Sequence, residues 1–170
     1  MSYLKSFIDE YQDFPKKGIN FKDIIPIIKN PQIFKKLIND MSCWEPFQKC
    51  DAVLAIDARG FIFGTAIALE ISKPLVLVRK TGKLPGDLIE ENYNLEYGKD
   101  TLSVQKKSLE GLSNFVIVDD LLATGGTVKC VEKLLKVSNK KILGLAVVIE
   151  LKELYGKKLF NFPVNAEVAL

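Results

Sequence analysis

Apolar residues recur along the chain with two different periods. Leu4, Phe7, Ile8 and Tyr11 fall at helical spacing and predict a helix over residues 2–12. Asn30 followed by Pro31 reads as an N-cap with proline in the first turn, which predicts a second helix from residue 31 to about residue 43. Residues 52–56, 75–78, 115–118 and 142–149 are short apolar runs rich in β-branched side chains, the pattern of strands covered on both faces. Helical periodicity returns over residues 61–71 and 127–137, so strand, helix, strand occurs twice in succession. The order predicts an α/β fold with a doubly wound, mostly parallel sheet flanked by helices.

Length and composition narrow what this fold can do. The 170 residues suffice for one domain with a sizeable core, and no repeat, low-complexity tract or flexible linker divides them. Hydrophobic residues at 48% and charged residues at 26% are ordinary for a water-soluble globular chain. The histidine count of 0 excludes Ser-His-Asp and Cys-His nucleophile pairs and every histidine-ligated metal, leaving acid/base work to Asp, Glu, Lys or Tyr. A net charge of +3 is too small to be a nucleic-acid footprint. Cys43, Cys50 and Cys130 are odd in number and lack CxxC spacing, which predicts reduced thiols in a cytoplasmic protein without a structural zinc. The N-terminus has no apolar signal core, and the longest apolar stretch, 61–69, is about half a membrane span. Neither export nor membrane insertion is expected.

In doubly wound sheets, ligands bind beyond the carboxyl ends of the strands, where the strand order reverses. Three loops occupy such ends. The first holds Asp57, Ala58, Arg59 and Gly60; the second Arg79, Lys80, Thr81, Gly82 and Lys83; the third runs Asp-Asp-Leu-Leu-Ala-Thr-Gly-Gly-Thr from Asp119 to Thr127. In the third, glycines let backbone amides close around an anion, a helix N-terminus follows, and threonine hydroxyls add donors, so Ala123, Thr124, Gly125, Gly126 and Thr127 suit a phosphate. Asp119 and Asp120 then lie at the strand's end, available to ribose hydroxyls or a magnesium shell. Read alone, Thr-Gly-Gly-Thr fits equally well a plain turn with the two aspartates capping the next helix. Residues 81–99 contain Gly82, Pro85, Gly86 and Gly98 with weak periodicity, which predicts a long mobile loop with a short β-hairpin at most, suited to a lid. An exposed Glu96 in such a loop is ordinarily a solvated charge, and Lys80 a solvated surface lysine.

The string VIVDDLLATGGT resembles the signature of the type I phosphoribosyltransferases. With DFPKKGINFKDI (13–24), DARGFIFG (57–64), VRKTGKLPG (78–86) and NLEYGKD (94–100), the chain is similar to the adenine-specific branch of that family. The five segments span residues 13–127, and the stretch beyond about Glu150 carries none that can be placed.

The resemblance implies a single phosphoribosyltransferase domain: a parallel core of about residues 31–150, a small N-terminal hood of about residues 1–30 and a mobile lid over 81–99. It implies transfer of 5-phosphoribosyl from 5-phosphoribosyl 1-pyrophosphate to adenine, giving AMP and pyrophosphate, with Mg2+. Ala123 to Thr127 would hold the 5′-phosphate and Asp119 and Asp120 the ribose, reaching the ion only through water. Ala58, Arg59, Arg79, Lys80 and Lys83 would hold the pyrophosphate. Glu96 would act as acid/base near N7 of the purine, with Tyr97 covering the site. Ile19, Asn20, Phe21 and Lys22 of the hood and Leu121 of the core would bind the base, Phe21 by stacking, although Phe21 also fits ordinary hood packing. A homodimer is implied as well, with the partner chain near the Arg79 loop.

Three positions depart from the family pattern. Lys22 stands where arginine is usual and lacks its planar fork, Asn20 where an apolar residue is usual, and Thr81 where many relatives are cationic. Two other functions share the scaffold. A 6-oxopurine phosphoribosyltransferase normally bears an acidic residue in the phosphate loop where this chain has Ala123. A nonenzymatic, nucleotide-sensing regulator would need a nucleic-acid-binding surface, for which the chain has neither spare length nor strong basicity.

Overall fold

The computed structural model describes residues 3–95 and 98–170, excepting the side chains of residues 93–95 and 98–100. The N-terminal segment departs from the predicted helix. It makes a single 3-10 turn over Tyr3–Phe7 and then a strand, β1 (Asp9–Gln12), which pairs antiparallel with β2 (Asn20–Asp23). The helical spacing of Leu4, Phe7 and Ile8 is used, because Leu4 is fully buried and the other two pack on the same cluster. Beyond Ile8 an isolated short helix gains little, and the chain instead finds a strand partner across a turn held by the Gly18 amide donating to Asp13 Oδ1 at 2.6 Å.

Helices α1 (Ile25–Lys29), α2 (Pro31–Ser42) and α3 (Glu45–Lys49) follow. The Asn30 side chain caps α2 by accepting from the Ile33 amide at 3.1 Å, and Leu37, Ile38 and Met41 form its buried face. Strand β3 (Ala52–Ile56), helix α4 (Gly60–Glu70) and strand β4 (Leu75–Lys80) form the first parallel unit. Next come the hairpin β5 (Leu88–Leu95) and β6 (Gly98–Gln105), then β7 (Asn114–Leu122), helix α5 (Gly126–Val137), β8 (Lys141–Glu150) and β9 (Val164–Ala169). The sheet order is β5-β6-β4-β3-β7-β8-β9, parallel from β4 through β9, with β5 and β6 joining antiparallel at one edge.

Alternation along the central strands divides the core between the two faces. Val53, Val116 and Val118 pack with Leu37, Met41, Phe63 and Ile67 under α2 and α4, whereas Leu54, Ile56, Phe115 and Ile117 pack with Val131, Leu134 and Leu135 under α5. The strand order reverses between β3 and β7, so the carboxyl ends of these two strands flank the switch-point crevice.

Two further expectations are corrected. The segment predicted as a loop with a short hairpin at most is mainly a regular one, paired from Leu88↔Gln105 to Leu95↔Gly98 and joined to β4 at Arg79↔Ser103. Buried Leu102 and Val104 anchor it to the core, and Glu91 ties it to α5 by accepting from the Cys130 thiol at its carbonyl (3.3 Å) and pairing with Lys133 at 3.2 Å. The strand predicted over 115–118 extends through Leu122, because pairing with β8 continues at Asp119↔Val147 and Leu121↔Ile149 after the apolar run ends. Asp119 and Asp120 therefore sit within β7. No helix among the described residues is long and apolar enough to cross a membrane.

Candidate active site

The Arg59 side chain reaches across the crevice between β3 and β7. Arg59, in the turn from β3 to α4, places Nε 2.8 Å from Asp120 Oδ2, and its guanidinium lies 5.3 Å from the centre of the Phe21 ring on β2. One residue thus links the loop expected to hold pyrophosphate, the carboxylate expected to hold ribose and the ring expected to stack on a base. Phe21 is itself held edge-on by Phe14 at 5.2 Å.

The turn that carries Arg59 is tightly determined. The Asp57–Ala58 peptide is cis, and Ala58 is exposed at its apex. Asp57 accepts from Arg79 Nε at 2.9 Å, while Arg79 Nη1 donates to the Lys83 carbonyl at 3.3 Å, so Arg79 fastens the first loop to the second. Lys80 and Lys83 are exposed beside it. At the start of α4, Gly60 lies so near β7 that a Cβ there would meet Asp119 Oδ1 and the Val118 carbonyl, both at 2.9 Å. The absence of a side chain lets the helix end approach the acidic pair.

Asp119 and Asp120 differ in environment. Asp120 faces Arg59, whereas Asp119 accepts the Asp120 amide at 2.9 Å and points toward Gly60. Burial first, and then the neighbouring Asp120 carboxylate, push the Asp119 carboxyl well above the usual carboxylate range. After Leu121, which packs against the core, the chain turns through Ala123 and Thr124 to Gly125, whose φ of 84° opens α5. The first amides of α5, at Gly126, Thr127 and Val128, lack intrahelical acceptors and point out of the helix end, a cradle for an anion.

On the hood, strand alternation puts Asn20 and Lys22 on the face opposite Phe21. Both are bound by Glu10 of β1, a residue that carried no signal in the sequence: Lys22 Nζ lies 2.6 Å from Oε1, and Asn20 Nδ2 donates to Oε2 at 2.8 Å. These two contacts hold the Glu10 carboxyl below its ordinary range. Ile19, in the turn before β2, is exposed, and its carbonyl accepts from the Phe14 amide at 3.2 Å. Glu96 and Tyr97 lie outside the described residues. The register puts Leu95 opposite Gly98.

The model of the phosphoribosyl transferase domain matches residues 27–164. An adenine phosphoribosyltransferase of Prochlorococcus marinus (strain AS9601) is 54% identical over 170 residues, covering all of both chains. The chain belongs to the adenine phosphoribosyltransferase family.

Its fold is accordingly the type I phosphoribosyltransferase fold. The crystal structure of the adenine phosphoribosyltransferase from Thermoanaerobacter pseudethanolicus superposes with a TM-score of 0.92 at 40% identity, covering 98% of each chain. That of Saccharomyces cerevisiae, complexed with an imino-altritol bisphosphate and adenine, gives 0.89 at 36% identity, covering 97% of this chain and 96% of the other. The structure brings Arg59, Asp120 and Phe21 together, and Glu10, which no sequence pattern singled out, binds Asn20 and Lys22.

Proposed function

We propose that the chain transfers 5-phosphoribosyl from 5-phosphoribosyl 1-pyrophosphate to adenine, releasing AMP and pyrophosphate as a purine salvage step in the cytoplasm. The observation that carries this reading is the position of Arg59, between Asp120 and Phe21 at the switch point, with the α5 anion cradle following on the same strand. A donor with phosphates at both ends of a ribose needs two anion sites on either side of a hydroxyl-binding group. Ala123 to Thr127 hold the 5′-phosphate, Asp119 and Asp120 the ribose, and Arg59, Ala58, Arg79, Lys80 and Lys83 the pyrophosphate. Phe21 and Leu121 flank the purine, and the β2 backbone from Ile19 to Lys22 reads its edge.

In the reaction the bond from the anomeric carbon to the pyrophosphate oxygen breaks as that carbon bonds to N9 of adenine. The purine proton leaves to Glu96 near N7, and Tyr97 helps exclude water from the positively charged anomeric centre. Arg59 and its cationic neighbours favour the leaving group because its charge grows along the path. Among the described residues no three His, Cys, Asp or Glu side chains converge as a metal cage, and Asp120 already faces Arg59. Such a donor set fits a Mg2+ that arrives on the substrate and meets Asp119 and Asp120 through water. When bound, the ion offsets charge on the pyrophosphate. The loop residue Ala123 removes the carboxylate expected of a 6-oxopurine enzyme, which favours adenine.

A homodimer is part of the reading. Helix α4 is mostly apolar, with Leu69 81% exposed and Ile62 on the same outward face, and such an exposed apolar pair suits a contact with a second copy. The test of the function is pyrophosphate release from the donor: it should require both adenine and magnesium, and no release under any combination would overturn the proposal.

A further inference from the structure

The segment after β8 lies against the anion-binding turn. It makes two short 3-10 turns, Lys152–Leu154 and Gly156–Leu159, joined at Tyr155. From residue 152 to residue 159 every position is exposed except Gly156. A Cβ at Gly156 would fall on the Ala123 carbonyl oxygen and lie 3.0 Å from both the Gly125 nitrogen and the Thr124 carbonyl carbon. All three are main-chain atoms, so no side-chain rotation relieves the overlap.

The contact is reciprocal. A Cβ at Gly125 would meet the Gly156 carbonyl at 3.1 Å, Leu159 Cδ1 at 3.2 Å and Phe160 Cζ at 3.0 Å. Gly125 is glycine because its φ is left-handed; Gly156 lies outside the positive-φ glycines and is required by space alone. The buttress is fastened at both ends: the Leu151 amide donates to the Leu122 carbonyl at 2.9 Å, and Lys129 Nζ on α5 donates to the Leu159 carbonyl at 3.4 Å.

We propose that Gly156 is a positioning residue for the 5′-phosphate, its bare Cα forming the floor on which the Ala123–Gly125 turn takes its shape. The proposal rests on the reading of Ala123 to Thr127 as the 5′-phosphate cradle. The amides of that turn and of α5 converge on an anion only in this shape, and a side chain at position 156 displaces them from below while leaving the Arg59 end untouched.

The experiment is calorimetric titration of the wild type, Gly156→Ala and Leu159→Ala with ribose 5-phosphate and, separately, with magnesium pyrophosphate. Gly156→Ala should weaken ribose 5-phosphate by about tenfold or more, the scale expected when a binding group is displaced by about an ångström. Pyrophosphate affinity should be unchanged. Leu159→Ala removes an exposed part of the buttress without intruding on the turn; it should show a smaller loss of the same kind, and it decides the question if Gly156→Ala does not fold. Unchanged ribose 5-phosphate binding in a folded variant, or an equal loss for pyrophosphate, overturns the proposal. A wild type that binds pyrophosphate but not ribose 5-phosphate overturns the cradle reading itself, and this inference with it.

Discussion

Arg59 and Asp120, 61 positions apart in the chain, meet at 2.8 Å across the point where the sheet order reverses. Asp120 is almost fully buried, and the guanidinium is the cation that faces it, so the pair fixes the Arg59 turn relative to β7. Arg59→Ala should reduce kcat/KM by about 10–100-fold, read chiefly in the phosphoribosyl pyrophosphate KM, with the adenine KM moved less. Steady-state kinetics with each substrate varied in turn would check this. Arg59→Lys should recover only part of the loss, because an ammonium cannot make the forked contact.

Asp119 leads to a pH prediction. Its folded-state pKa is raised, so the folded protein binds that proton more tightly than the unfolded chain does. The associated stability is present at low pH and is lost as pH rises from the ordinary aspartate range, about 3.9, through the raised folded value. Asp119→Asn keeps an acceptor for the Asp120 amide and removes the ionisation. Thermal unfolding should show a higher Tm for the variant at neutral pH, with the difference shrinking as pH falls toward 4, while turnover drops if the ribose contact proposed for Asp119 is lost.

Glu10 joins the hood's two unusual residues. Glu10→Ala frees Lys22 Nζ and Asn20 Nδ2 together, which loosens the backbone that reads the purine without touching either anion site. The expected outcome is a several-fold higher adenine KM with little change in the phosphoribosyl pyrophosphate KM, and a lower Tm because Lys22, whose side chain is 12% exposed, loses its counter-charge. Equal changes in both KM values would contradict this role.

Much of this account was legible in the sequence, and the misses have physical reasons. The four buried strands, α2, α4 and α5 follow from periodicity, because burial on one or two faces dictates it. The helix expected over 2–12 failed because four apolar residues at helical spacing also suit a 3-10 turn followed by a strand, and the partner strand at Asn20–Asp23 was invisible without the turn at Gly18. The hairpin from Leu88 to Gln105 is longer than expected because consecutive polar residues, Glu90 to Asn92 on one strand and Lys99 to Thr101 on the other, leave no apolar alternation to read. Asp57, Arg59 and the Ala123–Thr127 turn follow strand ends, and Arg79, Asp119 and Asp120 lie in the last residues of their strands, where fold rules say to look. Glu10 and Gly156 make their contacts with residues distant in sequence, and no local pattern marks them.

The acid/base role proposed for Glu96 predicts that Glu96→Gln lowers kcat by about 10²–10⁴-fold with modest KM changes, the range typical of removing a positioned proton-transfer group. The pH profile of kcat should lose one limb in the variant. A decrease below about threefold would assign the purine proton to another group.

The most direct test of the central claim is a competition. Adenine, hypoxanthine and guanine are supplied together at equal concentration, with magnesium and limiting phosphoribosyl pyrophosphate, and the nucleotides formed are separated and counted. AMP should be the sole nucleotide formed. Comparable amounts of IMP or GMP, or no nucleotide from any base, would contradict it.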